Sequence, residues 1–219
     1  SSQIDLLFGG GSYDGDNATR MGLLVPPWPA GQVPQGLLAT KGGQELIPEG
    51  LSGDTWRTPT YYGTTVSTFG ICYNRDRMRA QGVAREPAQW TDLADPAWFG
   101  SLGLADPTKS GSIAKAFETI VQVECRKAVE AAGFGDRAEE YEARIAAAKL
   151  PAGQMPEGVP AEYQRAVEAG WVNGLRLIQL IGANARYFTD SASKVPLDVG
   201  MGNAAAGLCI DFYGRFEAD

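Results

Sequence analysis

The feature that most constrains the fold is an alternation between short apolar runs and longer segments with helical periodicity. Predicted strands are bounded by glycine, proline or polar residues and cover residues 4–8, 66–74, 102–106, 186–188 and 206–212. Predicted helices cover residues 16–24, 75–82, 126–149 and 162–184, and three more start near residues 90, 112 and 190. Strands that alternate with helices favour a mainly parallel sheet covered by helices on both faces, so the predicted fold class is α/β.

For two of these helices the sequence also predicts an N-cap or a buried face. The helix at residues 16–24 is expected to begin with Asp16 as its N-cap. The longest one, at residues 162–184, has apolar side chains at steps of three or four residues, namely Val167, Trp171, Leu175, Ile178 and Ile181. Side chains at this spacing share one face of a helix, so this face is predicted to be buried.

Three predicted strand ends carry glycine and hydroxyl residues. These are Gly10, Gly11 and Ser12 after the strand at 4–8, Ser110, Gly111 and Ser112 after the strand at 102–106, and Ser191 and Ser193 after the strand at 186–188. In parallel sheets ligands bind beyond the carboxyl ends of the strands, where free N–H groups and helix dipoles favour an anion. The same residues also fit ordinary N-caps and turns, and the pattern alone leaves that alternative open.

Charge and histidine content narrow the possible functions. The chain has 19 Lys and Arg against 26 Asp and Glu, a net charge of −7 and no histidine. The acidic balance argues against a nucleic-acid partner, and the missing histidine removes Ser-His-Asp, Cys-His and histidine-zinc chemistry. An enzyme and a bound cofactor are therefore not expected. No apolar run approaches the roughly 18–20 residues of a membrane span, so direct membrane insertion is not expected either.

Six short motifs follow one another along the chain. They are DLLFGGG at residues 5–11, GICYN at 70–74, PAQWTDL at 87–93, ADPTKSGS at 105–112, GW at 170–171 and GNAAAG at 202–207. With them the chain resembles the extracellular (periplasmic) solute-binding proteins of bacterial ABC transporters, of the group that binds ferric iron, phosphonates or sugar phosphates. The resemblance covers nearly the whole chain and implies a type II periplasmic-binding-protein fold, in which two α/β lobes hold the ligand between them.

The same resemblance implies how the chain is organised and what it does. Residues 1–70 correspond to a partial first lobe and residues 71–219 to a near-complete second lobe, so the chain is expected to be an internal segment that lacks both ends. The implied function is non-enzymatic capture of a small anionic solute, phosphorylated or a phosphonate, for delivery to an ABC transporter permease. The implied location is periplasmic or extracellular. Self-association is also expected, because the strand at 4–8 would lack its neighbours.

Further site residues follow from the resemblance. Tyr62, Thr64 and Tyr213 are expected to contact the solute. Ferric members of the group bind iron through two adjacent tyrosines, which correspond to Phe212 and Tyr213 here. A phenyl ring offers no oxygen to a hard cation, so tight ferric binding is disfavoured. Ferric capture through Tyr213, Tyr62 or Tyr61 and a bound anion is the alternative to the leading hypothesis, and no metal site is otherwise expected. An enzyme on the same bilobal fold ranks third.

The three cysteines form no CxxC pair, which argues against a zinc ribbon or a thioredoxin-type motif. The resemblance places Cys72 and Cys209 on neighbouring strands. A disulfide between them is expected if the register sets them opposite each other, and Cys125 is expected to stay free.

Overall fold

The structure is a computed structural model of the 219-residue chain. It describes residues 5–7, 11–29, 32, 40–41, 44–45, 50–51, 54–55, 60–63, 67–151 and 153–218. The chain divides into two compact units, Ser1–Thr68 and Phe69–Asp219. The assignment of residues 1–70 and 71–219 to two lobes stays a prediction.

The first unit contains one helix and two small hairpins among its described residues. Helix α1 is Ser12–Arg20; strand β1 (Thr40–Lys41) pairs with β2 (Gln44–Glu45), and β3 (Gly50–Leu51) pairs with β4 (Asp54–Thr55). The helix begins earlier than predicted, because Gly11 is its N-cap and the Gly11 N–H donates to the Asp14 carboxylate at 3.0 Å. Asp16 is therefore inside the helix, and the predicted cap is wrong.

The predicted strand at residues 4–8 is wrong for the part that the structure describes. Residues 5–7 have no strand conformation, and Leu6 and Leu7 are 78% and 61% exposed. Residues 4 and 8 lie outside the described residues. An apolar run forms a strand only when a neighbour supplies the ladder of hydrogen bonds, and no described strand pairs with residues 5–7.

The second unit is built on a four-stranded mixed sheet. Its strands are β5 (Phe69–Tyr73), β6 (Leu102–Ala105), β7 (Ala185–Thr189) and β8 (Ala206–Ile210), in the order β5-β8-β6-β7. Strand β6 is parallel to β7 and β8, whereas β5 is antiparallel to β8. The predicted α/β class with a mainly parallel sheet is confirmed. The last strand ends at Ile210, two residues before its predicted end, because a helix begins at Asp211.

Six α-helices and three short 3-10 helices accompany this sheet. The α-helices are α2 (Arg75–Ala80), α3 (Gly111–Ala131), α4 (Ala138–Ala148), α5 (Ala161–Ala183), α6 (Lys194–Gly200) and α7 (Asp211–Ala218). The 3-10 helices are Trp90–Ala94, Pro96–Trp98 and Gly135–Arg137. The main core joins the sheet, α3, α5 and α6, with Leu102, Leu104, Ile113, Ile120 and Val195 fully enclosed. No helix of the described residues is long and apolar enough to cross a bilayer.

Helices α3 and α5 pack closely because α5 presents glycine to α3. A Cβ atom at Gly170 would lie 2.3 Å from the Cys125 Cα, and one at Gly174 would lie 2.7 Å from the Val121 Cα. The buried face of α5 therefore consists of Tyr163, Ala166, Gly170, Gly174, Leu177 and Ile181. The predicted apolar face is wrong at Trp171 and Leu175, which are 53% and 51% exposed.

The two cysteines of the sheet are not opposite each other. The register pairs Cys72 with Gly207 and Cys209 with Gly70, so the cysteines are offset by two residues on neighbouring strands. At such a diagonal the Cα atoms are typically about 7–8 Å apart, and a disulfide needs them within about 7 Å. All three cysteines are free thiols, so the condition set for the Cys72–Cys209 bridge is not met.

Candidate functional site

The three parallel strands of the second unit end at one edge of the sheet, which we call the carboxyl edge. Ala105 at the end of β6 pairs with Thr189 at the end of β7, and the Asp106 N–H extends this pairing by donating to the Thr189 carbonyl at 2.7 Å. Strand β8 is parallel to β6, so α7 also starts from this edge. Residues 106–112 and 189–194 are thus brought together by the strand pairing itself.

The turn after β6 is organised by the Asp106 side chain. Its carboxylate accepts the Thr108 hydroxyl at 2.7 Å and the Thr108 N–H at 2.9 Å. These donors hold the pKa of Asp106 below its usual value. The Asp106 carbonyl accepts the N–H groups of Lys109 and Ser110, both at 3.1 Å. The turn therefore fixes the backbone of Lys109, whose exposed side chain reaches the space beyond the carboxyl edge.

Two glycines make room for a tyrosine on the α6 face of the sheet. The register aligns Cys72, Gly207, Gly103 and Tyr187 in one row across all four strands. A Cβ at Gly103 would lie 2.7 Å from the Tyr187 hydroxyl oxygen, and one at Gly207 would lie 2.4 Å from the Val195 Cγ1. Because neither Cβ is present, the Tyr187 ring lies over Gly103 and α6 approaches the sheet closely.

The Tyr187 hydroxyl belongs to a cluster around a buried carboxylate. It donates to Asp198 Oδ2 at 2.6 Å, and the Lys194 ammonium donates to the same oxygen at 2.5 Å. The Asn203 amide approaches Asp198 Oδ1 at 3.4 Å. Asp198 is only 5% exposed, whereas half of the Lys194 side chain is exposed. The cluster thus ties the edge strand β7 to α6 and to the turn before β8.

The pKa values in this cluster follow from burial and charge. Burial pushes the pKa of Asp198 upward, but the hydrogen bonds from Lys194, Tyr187 and Asn203 outweigh it and hold the pKa below its usual value. Burial and the hydrogen bond to Asp198 both raise the pKa of Tyr187. At neutral pH the cluster therefore contains an ionised carboxylate and a neutral phenol.

A cavity of about 430 Å³ opens beside this cluster. It is lined by Lys109, Tyr187, Phe188, Thr189, Asp190, Lys194 and Asp198. The two lysines differ, because Lys194 is paired with Asp198 whereas no described residue forms an ion pair with Lys109. The cavity thus offers an ion-paired lysine, a lysine without an ion pair among the described residues, the exposed Asp190 carboxylate and the polar end of a strand.

The predicted site residues of the second unit lie around the same edge. Ser110, Gly111 and Ser112 start α3; the Ser110 side chain makes no capping bond, so the ordinary N-cap reading is not realised there. Ser191 and Ser193 follow β7, and their hydroxyl oxygens are 2.9 Å apart. None of these five residues lines the cavity itself.

Tyr213 is in α7 rather than in a strand, and its ring packs against Phe212 with centroids 4.4 Å apart. Among the described residues, no group of three or more cysteine, aspartate and glutamate side chains is placed to hold a metal ion.

The predicted site residues of the first unit are only partly described. Gly11 is the N-cap of α1 and Ser12 is its first residue. Tyr62 packs its ring edge-on against Trp28, with centroids 5.0 Å apart. Gly10 and Thr64 lie outside the described residues.

The sequence analysis missed the charged residues of the cavity, namely Lys109, Asp190, Lys194 and Asp198. Lys109 stands between Thr108 and Ser110, inside a segment that had been singled out for its hydroxyl groups. Lys194 and Asp198 are four residues apart, a spacing that places an ion pair on one face of a helix. These signals were present. The sequence does not show that Lys194 and Asp198 lie beside Tyr187 of strand β7, because this contact depends on the sheet register.

Comparison with known proteins assigns the chain to a class. The family of bacterial extracellular solute-binding proteins matches residues 31–157, which is more than half of the chain. The chain belongs to this family.

The individual proteins that match this chain share only 15–26% sequence identity with it. The periplasmic binding protein AfuA from Actinobacillus pleuropneumoniae, solved with exogenous fructose-6-phosphate bound, matches 96% of this chain with a TM-score of 0.55 and 17% identity. This likeness shows a periplasmic-binding-protein fold. The periplasmic binding protein P5PA matches 68% of the chain with a TM-score of 0.41 and 15% identity. An uncharacterized protein of Haemophilus influenzae is 26% identical over 123 residues, or 55% of the chain. The chain spans 32% of that relative, 49% of AfuA and 33% of P5PA.

Proposed function

We propose that the protein captures a small anionic solute outside the cytoplasm and delivers it to an ABC transporter permease, without chemical conversion. The observation that carries this proposal is the cavity at the carboxyl edge, in a member of the extracellular solute-binding family. It combines an uncompensated lysine with the ends of two parallel strands, the place where open α/β sheets bind ligands. The proposed location is periplasmic or extracellular, as the family description implies.

Each part of the cavity has a role in this proposal. The Lys109 ammonium supplies the main attraction for the anionic group, since it forms no ion pair with a described residue and Asp106 interacts with it only electrostatically. The hydroxyl groups of Ser110, Ser112, Ser191 and Ser193 do not line the cavity but stand around the same edge, where we propose that they supply further donors. The exposed Phe188 ring offers an apolar surface to the remainder of the solute. Residues Gly10, Gly11, Ser12, Tyr62, Thr64 and Tyr213 remain proposed contacts.

A phosphorylated solute fits this proposal best. AfuA was solved with fructose-6-phosphate bound. A phosphate ester needs several N–H and O–H donors and a cation, and the segments 106–112 and 189–194 present both kinds of group. Ferric iron is not proposed, because Phe212 replaces a phenol beside Tyr213 and no cluster of ligating side chains stands among the described residues.

Calorimetric titration with fructose 6-phosphate, inorganic phosphate and fructose tests the proposed function. We expect both phosphate compounds to bind and fructose to bind much more weakly. Lys109→Met should weaken phosphate binding by about tenfold or more, the usual value of one charge-assisted contact. Lys127→Met is the matched control, because Lys127 pairs with Glu124 on α3 and lies outside the cavity. Equal affinities for phosphate in the parent protein and the Lys109 variant would contradict the role of the cavity.

A further inference from the structure

The two lysines of the cavity are electrostatically unequal, and Asp198 is the cause. The Lys194 ammonium shares Asp198 Oδ2 with the Tyr187 hydroxyl, at 2.5 and 2.6 Å. Lys194 also stands 5.8 Å from the centroid of the Tyr187 ring. Lys109 has no such partner among the described residues. A dissolved anion therefore meets one lysine that is already ion-paired and one that forms no ion pair with a described residue.

Asp198 is held so firmly that it does not release Lys194 easily. Its carboxylate is 5% exposed and receives donors from β7, α6 and the turn before β8. Its backbone carbonyl also accepts the N–H groups of Asn203 at 2.7 Å and Ala204 at 3.3 Å. Turning this side chain toward water would leave the Tyr187 hydroxyl without its acceptor. An unsatisfied half-buried phenol is unfavourable, so Asp198 stays in place.

We propose that Asp198 is a specificity-determining residue of the solute site: by positioning and neutralising Lys194, it lowers the preference of the cavity for doubly charged over singly charged anionic groups. This inference rests on the proposed function and adds the charge state of the solute to it. With Lys194 compensated, the cavity offers a single full cation, Lys109. A second negative charge on the ligand meets the Asp198 carboxylate behind Lys194 and the exposed Asp190 carboxylate.

Sulfate and methyl sulfate are suitable probes for this inference. They share the same tetrahedral oxygens but carry two charges and one charge, and neither titrates near neutral pH. Calorimetry gives the ratio of their affinities for each variant. In Asp198→Asn the Lys194 charge is uncovered, and the sulfate to methyl sulfate affinity ratio should rise by about tenfold, the effect of one additional charge-assisted contact.

Two further variants separate this inference from simpler explanations. Asp190→Asn changes the cavity charge by the same amount without touching Lys194, and its carboxylate is exposed and screened by solvent, so the ratio should change by only about twofold. In the double variant Lys194→Met with Asp198→Asn, a neutral pair is exchanged for two uncharged side chains. The ratio should then stay within about twofold of the parent value. The double variant also tests the inference if Asp198→Asn alone does not fold.

The possible outcomes are distinct. An unchanged ratio in Asp198→Asn, an equal rise in Asp190→Asn, or a large fall in the double variant would overturn the inference while leaving an anion site intact. Absence of sulfate and methyl sulfate binding in every variant would overturn the proposed anion site and this inference together.

Discussion

Single glycines in the sheet determine whether the candidate site can form. Gly207 lies against the Gly103 carbonyl oxygen and the Val195 Cγ1, each 2.4 Å from where a Cβ would stand. Neither neighbour can move easily, because one is backbone of the adjacent strand and the other is a fully buried side chain. The position of α6 thus depends on the absence of a side chain at Gly207. The positions of Lys194 and Asp198 on α6 depend on it as well.

Gly207→Ala is therefore expected to destabilise the protein by about 1–3 kcal/mol, the usual cost of overpacking a core. Gly70→Ala is the matched control on the neighbouring strand, since nothing lies within 4 Å of its Cβ position. That change should be neutral or stabilising by about 0.5–1 kcal/mol, because alanine loses less chain entropy than glycine. Urea unfolding of the two variants measures the difference. Equal stabilities would contradict the packing argument.

The Asp198 cluster also predicts a pH dependence of stability. The pKa of Asp198 is lower in the folded protein than its ordinary value, so folding favours the ionised form. Its contribution to stability is fully present above the unfolded pKa of about 3.9 and is lost as the pH falls through the lower folded pKa. The difference in unfolding free energy between the parent and Asp198→Asn should therefore be largest near neutral pH and should shrink in acid. Unfolding in urea across this pH range measures it, and a constant difference would contradict the assignment.

At the residue scale, the sequence predicted which segments meet at the carboxyl edge better than which charged side chains line the cavity there. Hydroxyl and glycine residues at strand ends led to segments 108–112 and 189–193, which the parallel pairing of β6 and β7 brings together. Lys109 in the first segment and Lys194 directly after the second were overlooked because a charged residue in an exposed turn is usually solvated. Only the register across the sheet makes Lys194, Asp198 and Tyr187 neighbours.

At the element scale, the contact between α3 and α5 shows why one predicted face was wrong. The apolar periodicity of residues 162–184 placed the helix correctly, as α5 is Ala161–Ala183. The face that packs on α3 is made of small residues, and Trp171 and Leu175 project beside it. A prediction based on large apolar side chains misses an interface in which close backbone approach replaces side-chain volume.

Gly170→Ala should weaken this contact. A Cβ there would lie 2.3 Å from the Cys125 Cα and 2.8 Å from its backbone nitrogen, so the two helices must separate. The loss of packing should exceed the gain in helix propensity of about 1 kcal/mol and leave a net destabilisation of about 1–3 kcal/mol. Gly182→Ala on the same helix has no atom closer than 3.8 Å and should instead stabilise the protein slightly. Thermal unfolding compares them, and a stabilised Gly170→Ala would refute the close approach.

At the scale of the whole molecule, the alternation of strands and helices predicted the fold class, but the strand order is set by tertiary packing. Strand β8 inserts between β5 and β6 although it comes last in the chain. Local periodicity contains no information about such an insertion. The apolar run at residues 4–8 looked like the other strands, yet residues 5–7 have no described partner strand.

The exposed apolar residues of the first unit predict self-association of this chain. Leu6 and Leu7 are largely exposed, and adjacent leucines in contact with water favour association with a second copy. Sedimentation velocity at micromolar concentrations should detect a dimer or a larger species. Leu6→Gln with Leu7→Gln should shift the population toward the monomer. A parent chain that stays monomeric over the same concentration range would contradict this expectation.

The central claim is that an anionic group binds at the carboxyl edge of the second unit, and a residue-resolved titration tests it most directly. Backbone ¹H–¹⁵N spectra recorded with increasing inorganic phosphate, and with matched sodium chloride as the ionic-strength control, identify the amide groups that respond. The account predicts saturable shifts concentrated at residues 106–112 and 189–194, which flank Lys109 and Lys194. Saturable shifts confined to other parts of the protein, or no shifts beyond those produced by sodium chloride, would contradict it.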